Sequence, residues 1–305
     1  MKIKLRHIPG WHLLEFSLVF LLISILNLFP ISWISALSRF FGDCYFSLFP
    51  KRRKTILDNL DNAYGDSISQ EQKLKIARQS MRNLVTSLVD FFMVSSTLRR
   101  AEQNFEFEGT EYLDKSFKNG HGVIFVISHL GSWEYLAFLP YLRKYPCSVV
   151  VRNIRNPYLE NWARKNRQRT GLNPIDREKS VRQILTELKN NHLVAILIDQ
   201  WAGPDGLWQD FFNKPTSTTS IPARLAHKTQ AALIPGYCLR MGTGKYKIII
   251  HPEVPLAPGA DWEAETTRQL NRVLEKEILK YPDQWTWAHR RWKPKTRYRA
   301  NSAEN

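Results

Sequence analysis

From about residue 104 onward the sequence keeps changing period. Short apolar runs of strand length, among them FEFEG, GVIFVIS, CSVVVR, HLVAILID, ALIPGYCLR and KYKIII, are separated by stretches of helical texture. PYLENWARKNRQRTG, VRQILTELKNN, STTSIPARLAHKTQ and DWEAETTRQLNRVLEKEILKYP are such stretches. A chain that alternates strand and helix in this way predicts an α/β domain, with a mostly parallel central sheet flanked by helices. Residues 51–97 read as helical, with Ser69 and Gln72 spaced as a capping box ahead of a long amphipathic run. The length of 305 residues suits one large domain. No internal repeat is evident.

Ahead of this domain lies an uncharged run, FSLVFLLISILNLFPISWI, at residues 16–34. Its length is about that of a helix crossing a bilayer's hydrocarbon core. Trp11, His12 and Trp33 stand near its ends, where amphipathic rings favour the interface. Asn27, Pro30 and three serines interrupt it, so a helix lying in one leaflet and a cleaved signal peptide are the alternatives. The expected organisation is a membrane anchor over 1–42, an α/β domain over 43–298 and a frayed tail over 299–305. The larger basic cluster, Arg39 with KRRK at 51–54, follows the run and places the domain on the cytoplasmic side by the positive-inside rule.

The formal net charge is +16, with 44 basic and 28 acidic residues. Such a chain seeks polyanions: nucleic acid, an anionic membrane or a phosphorylated substrate. No helix-turn-helix, RNP or zinc pattern supports the first. The three cysteines, Cys44, Cys147 and Cys238, have no metal or disulfide spacing and read as buried thiols.

Chemistry is expected where a strand ends. His129 falls just past the apolar run 123–127, Gly131 permits a sharp turn, and Glu134 falls near the start of the next helix. Five residues along one helix turn through about 500°, leaving two side chains ~140° apart. The pair can meet only if His129 is still in the turn. Glu134 would then fix the imidazole tautomer, and the other ring nitrogen would take a proton from a substrate hydroxyl. A simple capping arrangement at a helix start is the plainer reading of the same residues.

The stretch ISHLGSWE resembles the H-x4-D/E signature of glycerolipid acyltransferases, and its surroundings resemble the bacterial lipid A acyltransferases more specifically. VVVRNIRNPYLENW, PIDREKSVRQILTELKNN, AILIDQWAGPDGLWQDFFNKPTSTTSIPARLA and PDQWTWAHRRWKPK carry the likeness, which runs from about residue 10 to 295. The resemblance implies the glycerolipid acyltransferase-like α/β fold with an N-terminal hydrophobic membrane helix, in the bacterial inner membrane. It implies His129 as general base and Glu134 as its orienting partner. It implies a thioester donor, acyl carrier protein or CoA, a lipid A precursor as acceptor, and no bound cofactor or metal. Arg152, after the CSVVV run, is assigned to acceptor phosphate or the developing oxyanion. Asp199, which ends the HLVAILI run with Gln200, is assigned to orienting a site arginine or hydroxyl, with Arg177 as its suggested partner and a structural role for Gln200. Arg290, Arg291 and Trp292 are assigned to membrane or headgroup contact, and Thr218 and Thr219 to capping the following helix. An acyltransferase acting on another glycolipid or a lysophospholipid is the first alternative. A non-catalytic binder of anionic lipid or nucleic acid is the second.

Overall fold

A computed structural model describes residues 10–176 and 180–294. The N-terminal part is helical: α1 (Trp11–Leu26), α2 (Ile31–Leu48), α3 (Pro50–Tyr64) and α4 (Gln70–Thr97), then the short α5 (Ala101–Asn104). The alternating part follows as β1 (Phe105–Glu108), α6 (Thr110–Lys118), β2 (Val123–Ile127), α7 (Phe138–Arg143), β3 (Cys147–Val151), α8 (Pro157–Gln168) and β4 (Leu172–Asp176). It continues with α9 (Ser180–Lys189), β5 (Leu193–Leu197), β6 (Leu207–Phe211), β7 (Lys214–Thr218), α10 (Ile221–Thr229), β8 (Ala232–Gly242), β9 (Lys245–Ile250) and α11 (Trp262–Lys280).

Seven strands form one sheet in the order β1-β9-β8-β2-β5-β3-β4. Every neighbouring pair is parallel except the β8–β9 hairpin. Side chains alternate between the two faces. Ile124, Val126, Val194 and Ile196 face α9, α10 and α11, together with Ile56, Leu60 and Met81 from α3 and α4. Val123, Phe125, Ile127, Leu193 and Ala195 face the other side, over α6 and α7. The strands at the centre are apolar along their whole length because both faces are covered.

The expected alternation is present, as is the capping box: Ser69 Oγ accepts the Gln72 N–H, and the Gln72 side chain accepts the Ser69 N–H. Two features differ from the sequence reading. LNPID forms β4 at the sheet edge, and the stretch between Leu207 and Thr218 folds as an antiparallel hairpin, β6–β7, outside the main sheet. Phe212 and Asn213 make its two-residue turn at φ of 52° and 55°, the left-handed pair that a twisted hairpin needs.

The N-terminal run is not one long helix. Its apolar stretch is split at residues 27–30 between α1, of 16 residues, and α2, of 18. Pro30 has no N–H to give an i−4 carbonyl, and Asn27 Nδ2 donates to the Ile23 carbonyl at 2.7 Å, closing the end of α1. Among the described residues no helix is long and apolar enough to cross a membrane. The expectation of a single spanning helix over residues 16–34 is corrected accordingly.

Instead, α2 lies against α4, close enough that a Cβ at Gly42 would stand 2.5 Å from the Arg82 Cα. Asp43 and Arg82 pair there through two bonds of 2.7 and 2.6 Å. α1 meets the start of α8, where Asn156 Nδ2 donates to the His12 carbonyl and to Glu15, each at 2.8 Å. Leu14, Leu18, Leu21 and Leu22 of α1 and Phe40 and Phe41 of α2 remain exposed.

Candidate active site

The site lies at the C-terminal ends of β2, β5 and β3. β2 and β5 pair in register from Val123↔Leu193 to Ile127↔Leu197. Two residues past each end therefore stand side by side, and these are His129 and Asp199. His129 Nδ1 lies 2.9 Å from Asp199 Oδ1, and the His129 backbone N–H donates to Asp199 Oδ2 at 2.9 Å. Trp285 Nε1 donates to the same Oδ2 at 2.9 Å, so the carboxylate is enclosed by three bonds.

Burial pushes the Asp199 carboxyl up, but the imidazole's charge and the hydrogen bonds overcome it and bring its pKa down to about 2. Burial likewise works to lower the His129 pKa. The Asp199 charge and bond outweigh it, with a smaller push from Glu134, and hold the imidazole above its ordinary value. An ionised Asp199 fixes the proton on Nδ1 and leaves the lone pair on Nε2.

Glu134 is not the partner of this imidazole. It sits on a 3-10 turn, Trp133–Ala137, and its carboxylate is held by Arg167 of α8. Arg167 Nη2 donates to Glu134 Oε1 and Oε2 at 3.0 and 3.2 Å, and its guanidinium lies 4.8 Å from the Phe91 ring centroid. The expectation that Glu134 bonds and orients His129 is corrected: Asp199 holds that position because the parallel register of two adjacent strands brings it there. The suggested partner of Asp199, Arg177, lies outside the described residues.

The turn between His129 and Glu134 is fixed from beneath. A Cβ on Gly131, at φ +65°, would stand 2.1 Å from the Cys238 carbonyl oxygen, so the backbones meet where only glycine fits. Ser87 Oγ of α4 donates to the Gly131 carbonyl at 2.8 Å. Ser132 Oγ donates to the buried Asp90 at 2.7 Å, and Arg240 Nη2 reaches both Ser132 Oγ and Asp90. The C-terminal segment closes the other side. The Thr286 N–H and hydroxyl donate to the His129 carbonyl at 3.1 and 3.0 Å, and Leu130 bridges to Trp285.

This segment corrects another expectation. Arg291 is fully buried and offers headgroups no surface. Its Nη1 donates to the carbonyls of Gln200 and Ser217 at 3.0 and 2.6 Å, and its Nη2 to Thr218 Oγ1 at 2.7 Å. Burial pulls its pKa down to about 10, against the charges of Asp199 and Glu275. Trp292 is half-buried, with Nε1 donating to the Phe211 carbonyl at 3.3 Å, and Arg290 is exposed. Thr218 belongs to β7 and receives Arg291 rather than capping α10, while Thr219 Oγ1 takes the Ile221 N–H at 3.4 Å.

In front of His129 opens a cavity of about 530 Å³. It exists because β3 and β5 pair only from Cys147↔Leu193 to Val149↔Ala195 and then part. Val150 and Val151 on one strand and Ile196 and Leu197 on the other line the gap. Phe125, Leu136 and Leu139 make the apolar depth. His129, Glu134, Arg152, Arg167 and Gln200 make the polar mouth. Arg152 is exposed at the end of β3, where the sequence reading put it. Gln200 Nε2 lies 3.3 Å from His129 Nε2. Arg167 was not distinguishable in the sequence, being one of five basic residues between 155 and 169. Among the described residues no cluster of His, Cys, Asp and Glu could hold a metal ion.

An imidazole paired with an ionised carboxylate stands at the polar mouth of a hydrocarbon-lined cavity on a parallel sheet, an arrangement with room for an acyl chain. The bacterial lipid A biosynthesis acyltransferase family model matches residues 1–294, and the chain belongs to that family. It is an acyltransferase, and acyltransferases of this family need no cofactor. The chain is similar to the lipid A biosynthesis palmitoleoyltransferase of Escherichia coli, 28% identical over 253 residues and 80% of each chain. It is similar to the lauroyltransferase of the same organism, 28% identical over 257 residues and 80% of each chain. A phosphatidylinositol mannoside acyltransferase of Mycobacterium tuberculosis is 25% identical over 188 residues, covering 60% of this chain and 58% of that one.

Proposed function

We propose that the protein moves a fatty acyl chain from a thioester, on acyl carrier protein or CoA, to a hydroxyl of a lipid A precursor, with His129 as general base. The observation that carries this reading is the His129–Asp199 pair at 2.9 Å beside the hydrocarbon-lined cavity. Asp199 keeps the Nδ1–H tautomer, so Nε2 faces the cavity as the proton acceptor. The acyl chain lies in the gap between β3 and β5, with its carbonyl at the mouth. The hydroxyl attacks that carbonyl as Nε2 takes its proton. The tetrahedral intermediate collapses as the C–S bond breaks, and the thiol leaves with the proton from Nε2. Arg152 and the Glu134–Arg167 pair hold the acceptor, the guanidinium of Arg152 suiting a phosphate.

The reading also places the enzyme at the cytoplasmic face of the inner membrane. The exposed leucines of α1 and the phenylalanines of α2 would lie in the lipid interface, and the basic run 51–54 and Arg290 against anionic headgroups.

The test is an acyl-transfer assay on membranes from cells expressing the chain. Wild type, His129→Ala and Asp199→Ala receive labelled acyl thioester and a lipid A precursor, and products are read by mass spectrometry. A gain of one acyl chain, lost in both variants at equal protein level, is expected. Acylation of a different extracted lipid would keep the chemistry and overturn the acceptor. Variants as active as wild type would overturn the role of His129.

A further inference from the structure

The reacting nitrogen of His129 is already occupied. In the neutral imidazole that acts as base, with Asp199 ionised and Nδ1 carrying the proton, Nε2 has only a lone pair to offer, so the group 3.3 Å away is its donor. That group is the Gln200 carboxamide nitrogen. The tautomer also fixes the amide orientation, which would otherwise be a matter of choice.

The two ends of Gln200 are held very differently. Its backbone carbonyl accepts Arg291 Nη1 at 3.0 Å, and that buried guanidinium ties the same loop to the β6–β7 hairpin. Its side chain is exposed at the cavity mouth. The result is an exposed donor on a fixed base.

An acceptor hydroxyl can give up its proton only from about 2.8 Å of Nε2, which is the place the carboxamide fills. The carboxamide has to move aside by the width of one oxygen. After attack, the oxygen that carries the negative charge is attached to the same carbon as the attacking oxygen. A carboxamide displaced by that distance still has its N–H within hydrogen-bond reach of the new oxyanion.

We propose that Gln200 is a catalytic residue: its carboxamide caps His129 Nε2 in the resting enzyme and, displaced by the acceptor hydroxyl, donates to the oxyanion of the tetrahedral intermediate. The inference rests on the acyl-transfer reading above. In the addition step the hydroxyl oxygen bonds to the thioester carbon, its proton passes to Nε2, and the carbonyl π pair moves to the oxygen that Gln200 meets. In the collapse that pair re-forms the carbonyl, the C–S bond breaks, and sulfur leaves with the proton from Nε2.

Capping has its own signature. A donor to the lone pair favours the neutral imidazole, so it holds the His129 pKa below the value it would otherwise have. Around the ring stand Asp199, Glu134 with Arg167, His289 and Arg152, and substitution at Gln200 leaves all of them in place.

The experiment uses the full chain in detergent, with tetradecanoyl–acyl carrier protein or tetradecanoyl-CoA and a lipid A precursor. Gln200→Ala and Gln200→Glu are compared with wild type, with His129→Ala as reference. For Gln200→Ala, kcat is expected to fall on the order of 10²-fold with donor KM little changed, the loss seen when one oxyanion donor is removed. The acid limb of kcat/KM should move to higher pH. Gln200→Glu keeps the shape of the side chain and should move the limb further in the same direction, with kcat as low or lower, because a carboxylate favours the imidazolium and repels the oxyanion. Thermal melts of both should match wild type, the side chain being exposed. A Gln200→Ala or Gln200→Glu enzyme within about threefold of wild-type kcat, or a loss of kcat with an unmoved acid limb, would overturn the proposal. If His129→Ala retains wild-type activity, the acyl-transfer reading of this site fails. If His129→Ala is inactive while Gln200→Ala turns over normally, Gln200 alone is wrongly assigned.

Discussion

His129 and Asp199 are joined twice, imidazole Nδ1 to Oδ1 and backbone N–H to Oδ2, each at 2.9 Å. One carboxylate thus sets both the tautomer of the ring and the path of the chain that carries it. Asp199→Asn should leave the fold intact and lower kcat by ~10³–10⁴-fold, the scale of losing the orienting carboxylate of a histidine base. Because the Asp199 charge raises the His129 pKa, its removal should shift the acid limb of kcat/KM to lower pH. A profile of pH against kcat/KM measures both effects.

Glu134 and Arg167 should behave as one unit. Arg167 donates to both carboxylate oxygens at 3.0 and 3.2 Å, and both groups line the cavity. Glu134→Ala and Arg167→Ala should each raise the acceptor KM, and the double variant should be little worse than either. A double-mutant cycle on kcat/KM should give a coupling of about 1–3 kcal/mol. Additive losses would contradict a shared role.

Arg152 should act by charge. Arg152→Ala is expected to raise KM for a phosphorylated acceptor about tenfold or more while leaving the thioester KM near wild type. The acceptor KM of wild type should rise with salt, and that of the variant much less.

Gly131→Ala tests the turn beneath the site. The added Cβ would lie 2.1 Å from the Cys238 carbonyl oxygen at a backbone φ of +65°. A non-glycine residue in such a conformation costs about 1–3 kcal/mol before the clash is counted. The variant should melt several degrees lower and lose activity, as read by calorimetry and the acyl-transfer assay.

Arg291→Met should destabilise the protein more than it alters the chemistry. The change removes three buried donor bonds and leaves the Gln200 and Ser217 carbonyls and the Thr218 hydroxyl without them. A loss of about 3–5 kcal/mol is expected, that of breaking a buried charged network, with the β6–β7 hairpin the first element to show faster amide exchange. Arg291→Lys should recover only part of it, because one ammonium cannot reproduce the fork.

The fold was legible where local chemistry repeats. Apolar runs covered on both faces and amphipathic stretches between them alternate along the chain, so the α/β class, the central strands and the capping box of α4 could be read directly. The hairpin was not, because its turn uses Phe212 and Asn213 at positive φ instead of a glycine, and burial of Phe212 stabilises what its own propensity opposes. The split of the N-terminal run had its signal in Asn27 and Pro30, yet the docking of α2 on α4 depends on Gly42 and Asp43 meeting Arg82.

For the site, the sequence by itself determined where the candidate base stands. His129 follows an apolar strand and precedes a glycine turn, a placement that local sequence shows without any distant partner. It also determined that Asp199 and Arg152 end strands, and hence stand at the functional edge of the sheet. The tertiary structure decided who pairs with whom. The in-register contact of β2 with β5 gives His129 to Asp199, 70 residues away, while the packing of α8 gives Glu134 to Arg167. The C-terminal arginine that looked made for a membrane surface was turned inward to hold the loop of Gln200. Spacing along a chain limits only neighbours within a few residues. Partners across a sheet are chosen by strand order and register, which arise from the packing of the whole domain.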